Sequence, residues 1–357
     1  PFQPEDLSVA GPPWFLTRWV THFCPPMFVL LAGMAAFLQG QRSGQRALIR
    51  MLWTRGLWLI ALELSWVNLS WMFDWPWNEG FLFLQVLWVL GFSMLALALL
   101  LALRVPLRWL AALGLVSIVA HNLLDKTAAE ALGGLAWLWK ILHVRSAFLQ
   151  IGDGPFGFFV IYPLIPWIGV LCLGYALGPV LTWEPARRRR FLAASGIAAT
   201  LAFVGLRALN GYGDPSPWLE SPRSWVYTAL SFLNTTKYPA SLQFLCMTLG
   251  PGLMLLAAAS NTPSERSPFL VFGRTPLFAY LVHVPLLHLA SRLYFSHMAC
   301  TPIDFFSTPP SQWPLEYVPR LARVYAAWLA CLLALYPACW AYGRLKRSSR
   351  HWAFKYL

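Results

Sequence analysis

The chain has 357 residues, of which 58% are apolar and only 11% charged, against about 25% charge in an ordinary soluble domain. That balance excludes a soluble globular enzyme and fits a polytopic membrane protein, whose interfaces also account for the 20 tryptophans. A net charge of +13 would suggest a nucleic-acid partner in a soluble chain; here the cations follow the topology, and no nucleic-acid partner is expected.

The N-terminal stretch PFQPEDLSVAGPP reads as a loop and carries neither a charged n-region nor a cleavage site. After it, apolar segments of about 20 residues predict nine membrane helices, at 19–38, 52–73, 81–103, 107–124, 156–181, 191–209, 242–260, 275–295 and 321–342. The expected fold is an all-α membrane bundle forming one integral-membrane domain over 1–357. Most of the 27 cations lie in one set of loops, with Arg42, Arg46, Arg50 and Arg55, then Arg104 and Arg108, Arg187 to Arg190, Arg266 and Arg274, and a basic tail. The positive-inside tendency makes that set, and the C-terminus, cytoplasmic. Nine spans then leave the first residues outside, which implies a tenth helix preceding this chain.

On this topology the polar clusters that are not basic stop signals gather towards the outer face. The longest is the segment 207–241, where Asn210, Asp214, Asn234, Lys237, Tyr238 and Ser241 lie between two spans. At the mouth of the first span, Arg18 and His22 are one helical turn apart and can share a pocket. Pro25 and Pro26 follow, freeing backbone carbonyls that at membrane depth need protein partners or a wet cavity. His121, Asn122 and Asp125 close the fourth span, with the carboxylate placed to orient the histidine. The segment 128–144, AAEALGGLAWLWKILHV, reads as an amphipathic surface helix or a cover over the site.

Ionisable groups inside spans cost about 2.5–3.5 kcal/mol on insertion scales and are functional candidates by default. Glu63 and His283 are the main ones. His283 is about 12 Å into its span at 1.5 Å per residue, and a neutral imidazole there can accept a proton from an attacking hydroxyl or amine. The fifth span, YPLIPWIGVLCLGYALG, carries glycines suited to close helix contact or to a cavity wall. Cys24, Cys172, Cys246, Cys300, Cys331 and Cys339 form no CxxC or Cys/His cluster, and no metal is expected. Two function classes remain open on residues alone: an enzyme acting at the outer side, and a permease or flippase for a sugar-linked lipid.

The segments FLTRWVTHFCPPMFVLLAG, FLQVLWVLGFSML, AHNLLD, RALNGYGDPSPW, SFLNTTKYPASLQFL and FGRTPLFAYLVHVPLLH resemble bacterial members of the heparan-alpha-glucosaminide N-acetyltransferase catalytic-domain family. The resemblance implies a bacterial inner-membrane acyltransferase that takes an acyl group from cytoplasmic acetyl-CoA, or a related acyl-CoA, and delivers it to a periplasmic sugar or glycan. It implies roles for Gln85 in an LQ motif, Lys237 and Ser241 in a Lys-x-x-x-Ser motif, and Tyr280 with His283 in a Tyr-x-x-His motif. Arg55 and Arg274 are the expected contacts for CoA phosphates. His283, His22 and Lys237 are the expected catalytic groups. Arg18, Asn122, Asp125, Asn210, Asp214, Asn234, Tyr238, Ser241, Gln85 and Tyr280 are the expected acceptor contacts. The histidine credited with catalysis in the lysosomal relatives lies upstream of the segment matching THFCPP, where this chain has none. His22, which falls where those relatives have an aspartate, is the substitute. Membrane lipids and a second copy of the chain complete the expected partners.

Overall fold

A computed structural model describes residues 3–74, 80–259, 264–299, 313 and 317–349. Most of the acidic turn after Asp74, Cys300 and the loop following it, and the tail cations Arg350 and Lys355 lie outside the described residues. The chain divides into two compact units, one formed by Phe2–Glu63 with Phe81–Ser260, the other by Leu64–Gly80 with Asn261–Leu357.

In the larger unit the first span is not one straight helix. Pro12–Val20 leads through a 3-10 turn, Thr21–Phe23, into Cys24–Ser43. The break falls where Pro25 and Pro26 occupy the start of the second helix, because proline has no amide hydrogen to give and the first amides of a helix have no intrahelical acceptor. Helices Gln45–Leu62, Val86–Ala102, Leu107–Ala120, Leu164–Leu177, Pro185–Leu209 and Leu242–Ala258 complete the bundle.

Its helices approach at glycines. A Cβ on Gly56 would lie 2.8 Å from the carbonyl of Gly91, and one on Gly91 2.6 Å from that of Gly56. Gly114 and Gly169 oppose each other in the same way, as do Gly196 and Gly250. Gly33 and Gly174 meet the backbone of each other's helix. Lipid tails offer helices no hydrophobic reason to associate, so close backbone packing supplies the attraction. In the fifth span Gly169 and Gly174 therefore serve packing.

Two expectations change. Among the described residues six helices are long and apolar enough to cross a membrane, not nine: Pro12–Ser43, Leu107–Leu124, Leu164–Thr182, Pro185–Leu209, Pro276–His297 and Leu321–Ser348. The expected span 81–103 opens as a strand, leaving a 17-residue helix, and 242–260 is likewise a 17-residue helix. The segment 52–73 starts inside Gln45–Leu62 and continues as a π-helical turn, Glu63–Val67. The helical membrane class stands, but it includes a small sheet. β1 (Phe81–Leu84) pairs in parallel with β3 (Gly157–Val160), which pairs antiparallel with β2 (Ala147–Gln150). The sheet fixes Gln85 and Tyr162, since the carbonyl of Leu84 accepts from the amides of Ile161 and Tyr162.

The segment 128–144 is also not a continuous amphipathic helix. It is a 3-10 stretch, Ala129–Leu135, followed by a short helix, Ala136–Leu142. Gly133 breaks it at φ 51°, a left-handed conformation that a glycine adopts without a Cβ clash.

In the smaller unit, Pro268–Arg274, Pro276–Ala299 and Leu321–Ser348 pack on one another, and Pro276–Ala299 also packs on Asn68–Met72. Trp66 Nε1 donates to the carbonyl of Leu281 at 2.8 Å, and His288 Nδ1 to that of Ser70 at 3.0 Å while its ring stacks on Phe73.

Candidate functional site

The segment between Leu209 and Leu242 is built on one buried cation. Arg207 is 1% exposed and spends its guanidinium on five oxygens. Nε donates to the carbonyl of Phe232, Nη1 to Ser216 O and Gln243 Oε1, and Nη2 to Ser231 O and Asn234 O, at 2.7 to 3.2 Å. Asp214 supplies the opposite charge, 4.0 Å from Nη1. Its carboxylate also accepts from the Thr236 amide at 2.8 Å, the Thr236 hydroxyl at 2.9 Å and the Ser241 hydroxyl at 2.7 Å. Ser241 in turn accepts from the Phe244 amide and caps helix Leu242–Ala258. Asn210 exchanges hydrogen bonds with the backbone of Trp218. Asn210, Asp214 and Ser241, expected as acceptor contacts, are thus engaged in holding the segment together.

What that scaffold presents is Lys237. Its ammonium is half-buried and has no hydrogen bond or ion pair among the described residues; it lies 5.1 Å from the Tyr238 ring centroid. Tyr238 follows it, joined by a cis peptide to Pro239, and packs on Tyr162 with ring centroids 5.0 Å apart and hydroxyls 3.4 Å apart. Arg18 is within electrostatic reach of both phenols, and Lys237 and Arg18 both act on His22.

Arg18 and His22 do face a common group, the carboxylate of Glu5 in the N-terminal segment. Glu5 Oε1 is 2.7 Å from Arg18 Nε and 3.6 Å from His22 Nε2. His22 is 2% exposed, packs on Phe244 and has no hydrogen bond on either ring nitrogen among the described residues. The N-terminal segment is pinned by Asn234 Nδ2 donating to the carbonyl of Glu5 and by Arg223 donating to the carbonyls of Leu7 and Ser8. A carboxylate shortly before a span that carries Arg and His one turn apart was the available signal for Glu5.

Burial pushes the Glu5 carboxyl up, but the contacts with His22 and Arg18 outweigh it and hold it at about 2, below its ordinary 4.5. A depressed carboxylate stabilises the fold fully above its unfolded value, and that contribution is lost as pH falls through the folded value. Protection of the Val9 and Ala10 amides, which bond to the carbonyl of Asp6, should therefore decline between about pH 4.5 and 2. Glu5→Gln should flatten that decline. Unchanged protection down to pH 2 in the parent chain would contradict the role of the carboxylate.

Asp125 orients a histidine, but it is His143 rather than His121. Asp125 Oδ1 lies 3.0 Å from His143 Nε2, and Oδ2 accepts from Asn122 at 2.8 Å. Burial pushes the Asp125 carboxyl up, and the bonds from His143 and Asn122 bring it below its ordinary value. Asn122 Oδ1 accepts from the Leu242 amide, tying this cluster to the start of the same helix that Ser241 caps.

The remaining expected residues lie elsewhere. Glu63 caps helix Val86–Ala102 through the amides of Leu87 and Trp88, with Gln85 at the cap position. Arg55 is in helix Gln45–Leu62. Arg274, Tyr280 and His283 belong to the smaller unit. Arg274 makes an exposed pair with Glu265 at 3.5 Å. His283 Nδ1 faces the carbonyls of Tyr280 at 2.6 Å and Ala279 at 3.2 Å; a carbonyl only accepts, so Nδ1 carries the hydrogen and Nε2 the lone pair.

Apolar spans knit by glycine contacts around a buried polar cluster define a helical integral-membrane protein. Residues 3–213 match the family described as heparan-alpha-glucosaminide N-acetyltransferase, catalytic, and the chain belongs to that family of membrane acetyltransferases. The match includes Glu5, Arg18, His22, Gln85, Asn122, Asp125 and His143; Lys237, Tyr280 and His283 lie beyond it. Comparison with curated proteins and with solved structures returned no significant match.

Proposed function

We propose that the chain transfers an acetyl or related acyl group from acyl-CoA, bound on the cytoplasmic side of a bacterial inner membrane, to a sugar or glycan acceptor at the periplasmic side. The observation that carries this reading is the Lys237 ammonium, half-buried beside the family-matched cluster of Arg18, Glu5 and His22 and without a counter-ion among the described residues. Acyl transfer generates an oxyanion from the thioester carbonyl, and a preorganised cation with no competing partner stabilises that charge more than it stabilises the ground state. Tyr238, Tyr162 and Asn234 are the groups proposed to hold the acceptor. A cavity of about 360 Å³ lined by Gln41, Gln45, Leu48, Leu101 and Tyr175 opens beside the basic segment 42–55 and suits the donor's approach. Arg55, in the same unit as that cavity, is the cation proposed to meet the donor's phosphates.

Calorimetry with acetyl-CoA on the detergent-purified chain, followed by transfer of radiolabel from acetyl-CoA to glucosamine, tests the proposal. Saturable binding and label transfer are expected. Absence of acetyl-CoA binding by folded protein would overturn it in favour of a carrier of sugar-linked lipids, which needs no such donor.

A further inference from the structure

Acyl transfer needs a group to take the acceptor's proton, and the histidines of the larger unit are not equally suited. His22 has one carboxylate near it, already bonded to Arg18, and two cations, Arg18 and Lys237, acting on it. A positive imidazolium there would form between like charges. His143 is in the opposite situation.

The tautomer of His143 follows from its neighbours. Nε2 faces a carboxylate oxygen of Asp125 at 3.0 Å and must donate, which leaves the lone pair on Nδ1. Trp139 packs on the ring with centroids 5.1 Å apart. His143 is 4% exposed, and Nδ1 is buried with no hydrogen-bond partner among the described residues. His121 lies edge-on at 5.9 Å. Its Nδ1 is 3.0 Å from the carbonyls of Ser117 and Ile118, so it too donates there and presents only a lone pair at Nε2. Neither histidine can satisfy the other. A buried acceptor without a donor is costly, and in an Asp–His pair the missing third member is a hydroxyl or amine.

The geometry points to His143, oriented by Asp125, as the general base of the proposed transfer, with the acceptor's own O–H or N–H as the donor that Nδ1 lacks. In the step, the acceptor proton passes to His143 Nδ1 as the acceptor oxygen or nitrogen bonds to the thioester carbonyl carbon. The imidazolium is paired with Asp125. Collapse of the tetrahedral intermediate breaks the C–S bond, and the departing CoA thiolate takes up the proton held by His143, which returns the imidazole to its neutral form. Asp125 and His121 are the titratable side chains in contact with His143, and Tyr212 acts on Asp125.

This inference rests on the acyltransferase reading, and its test separates the two. His143→Gln keeps an N–H donor for Asp125 but has no basic nitrogen. With acetyl-CoA as donor and glucosamine as acceptor probe, H143Q in the full chain should lower kcat by about 10²-fold or more while leaving acetyl-CoA binding intact. Added imidazole should restore part of the rate to His143→Gly. Parental rate in H143Q would overturn the role of His143 and leave the transferase reading standing. Failure of the parent chain to transfer label would overturn both.

Discussion

Arg207→Ala should cost the protein about 3–5 kcal/mol, the range for removing one member of a buried, hydrogen-bonded charge pair. The substitution leaves four carbonyls, the Gln243 amide oxygen and the Asp214 carboxylate without their shared cation. Arg207→Lys should not rescue it, because an ammonium offers three donors from one point and cannot reach acceptors spread around a planar fork. The readouts are the thermal midpoint in detergent and tryptic nicking after Arg223 and Lys237, both of which the clamp protects by ordering the segment. A variant that melts and resists trypsin like the parent would refute the clamp.

Lys237→Ala should lower kcat for acetyl transfer by about 10²–10³, the loss seen when one donor to a developing oxyanion is removed. Stability should barely change, by about 0.5 kcal/mol, because no hydrogen bond or ion pair of Lys237 is given up. A fall in rate together with a fall in melting temperature would show instead that Lys237 supports the fold. The contrast with Arg207 is the informative part. Two cations some thirty residues apart in one polar segment have opposite expected profiles, one structural and one chemical, because only one already has all its donors used.

Sequence patterns alone do not make that distinction. Arg207 and Lys237 both read as polar groups at span ends, and Asn210, Asp214 and Ser241 read as acceptor contacts until their hydrogen bonds are seen to close on the segment itself. The turn-to-turn spacing of Arg18 and His22 was legible because i and i+4 share a helix face. Glu5 was not, since a loop has no periodicity from which to infer where its side chain returns. Asp125 reads in the sequence as a carboxylate that orients the nearest histidine, His121, whereas its partner is His143. His143 meets Asp125 from 18 positions along the chain, across a stretch interrupted at Gly133.

The sequence by itself determined the membrane class and the family, because apolar run length and motif spelling are local properties, the first of which a bilayer acts on directly. Span boundaries were less secure, since an apolar run of the same composition forms a strand when another edge is there to pair with it, as Phe81–Leu84 does with Gly157–Val160. The tertiary structure alone decided which polar residues are already engaged. A side chain's role depends on whether its donors and charge are already met, and the folded chain brings Phe232, Asn234 and Gln243 to Arg207 and Asp125 to His143 while leaving Lys237 without a hydrogen bond or ion pair among the described residues.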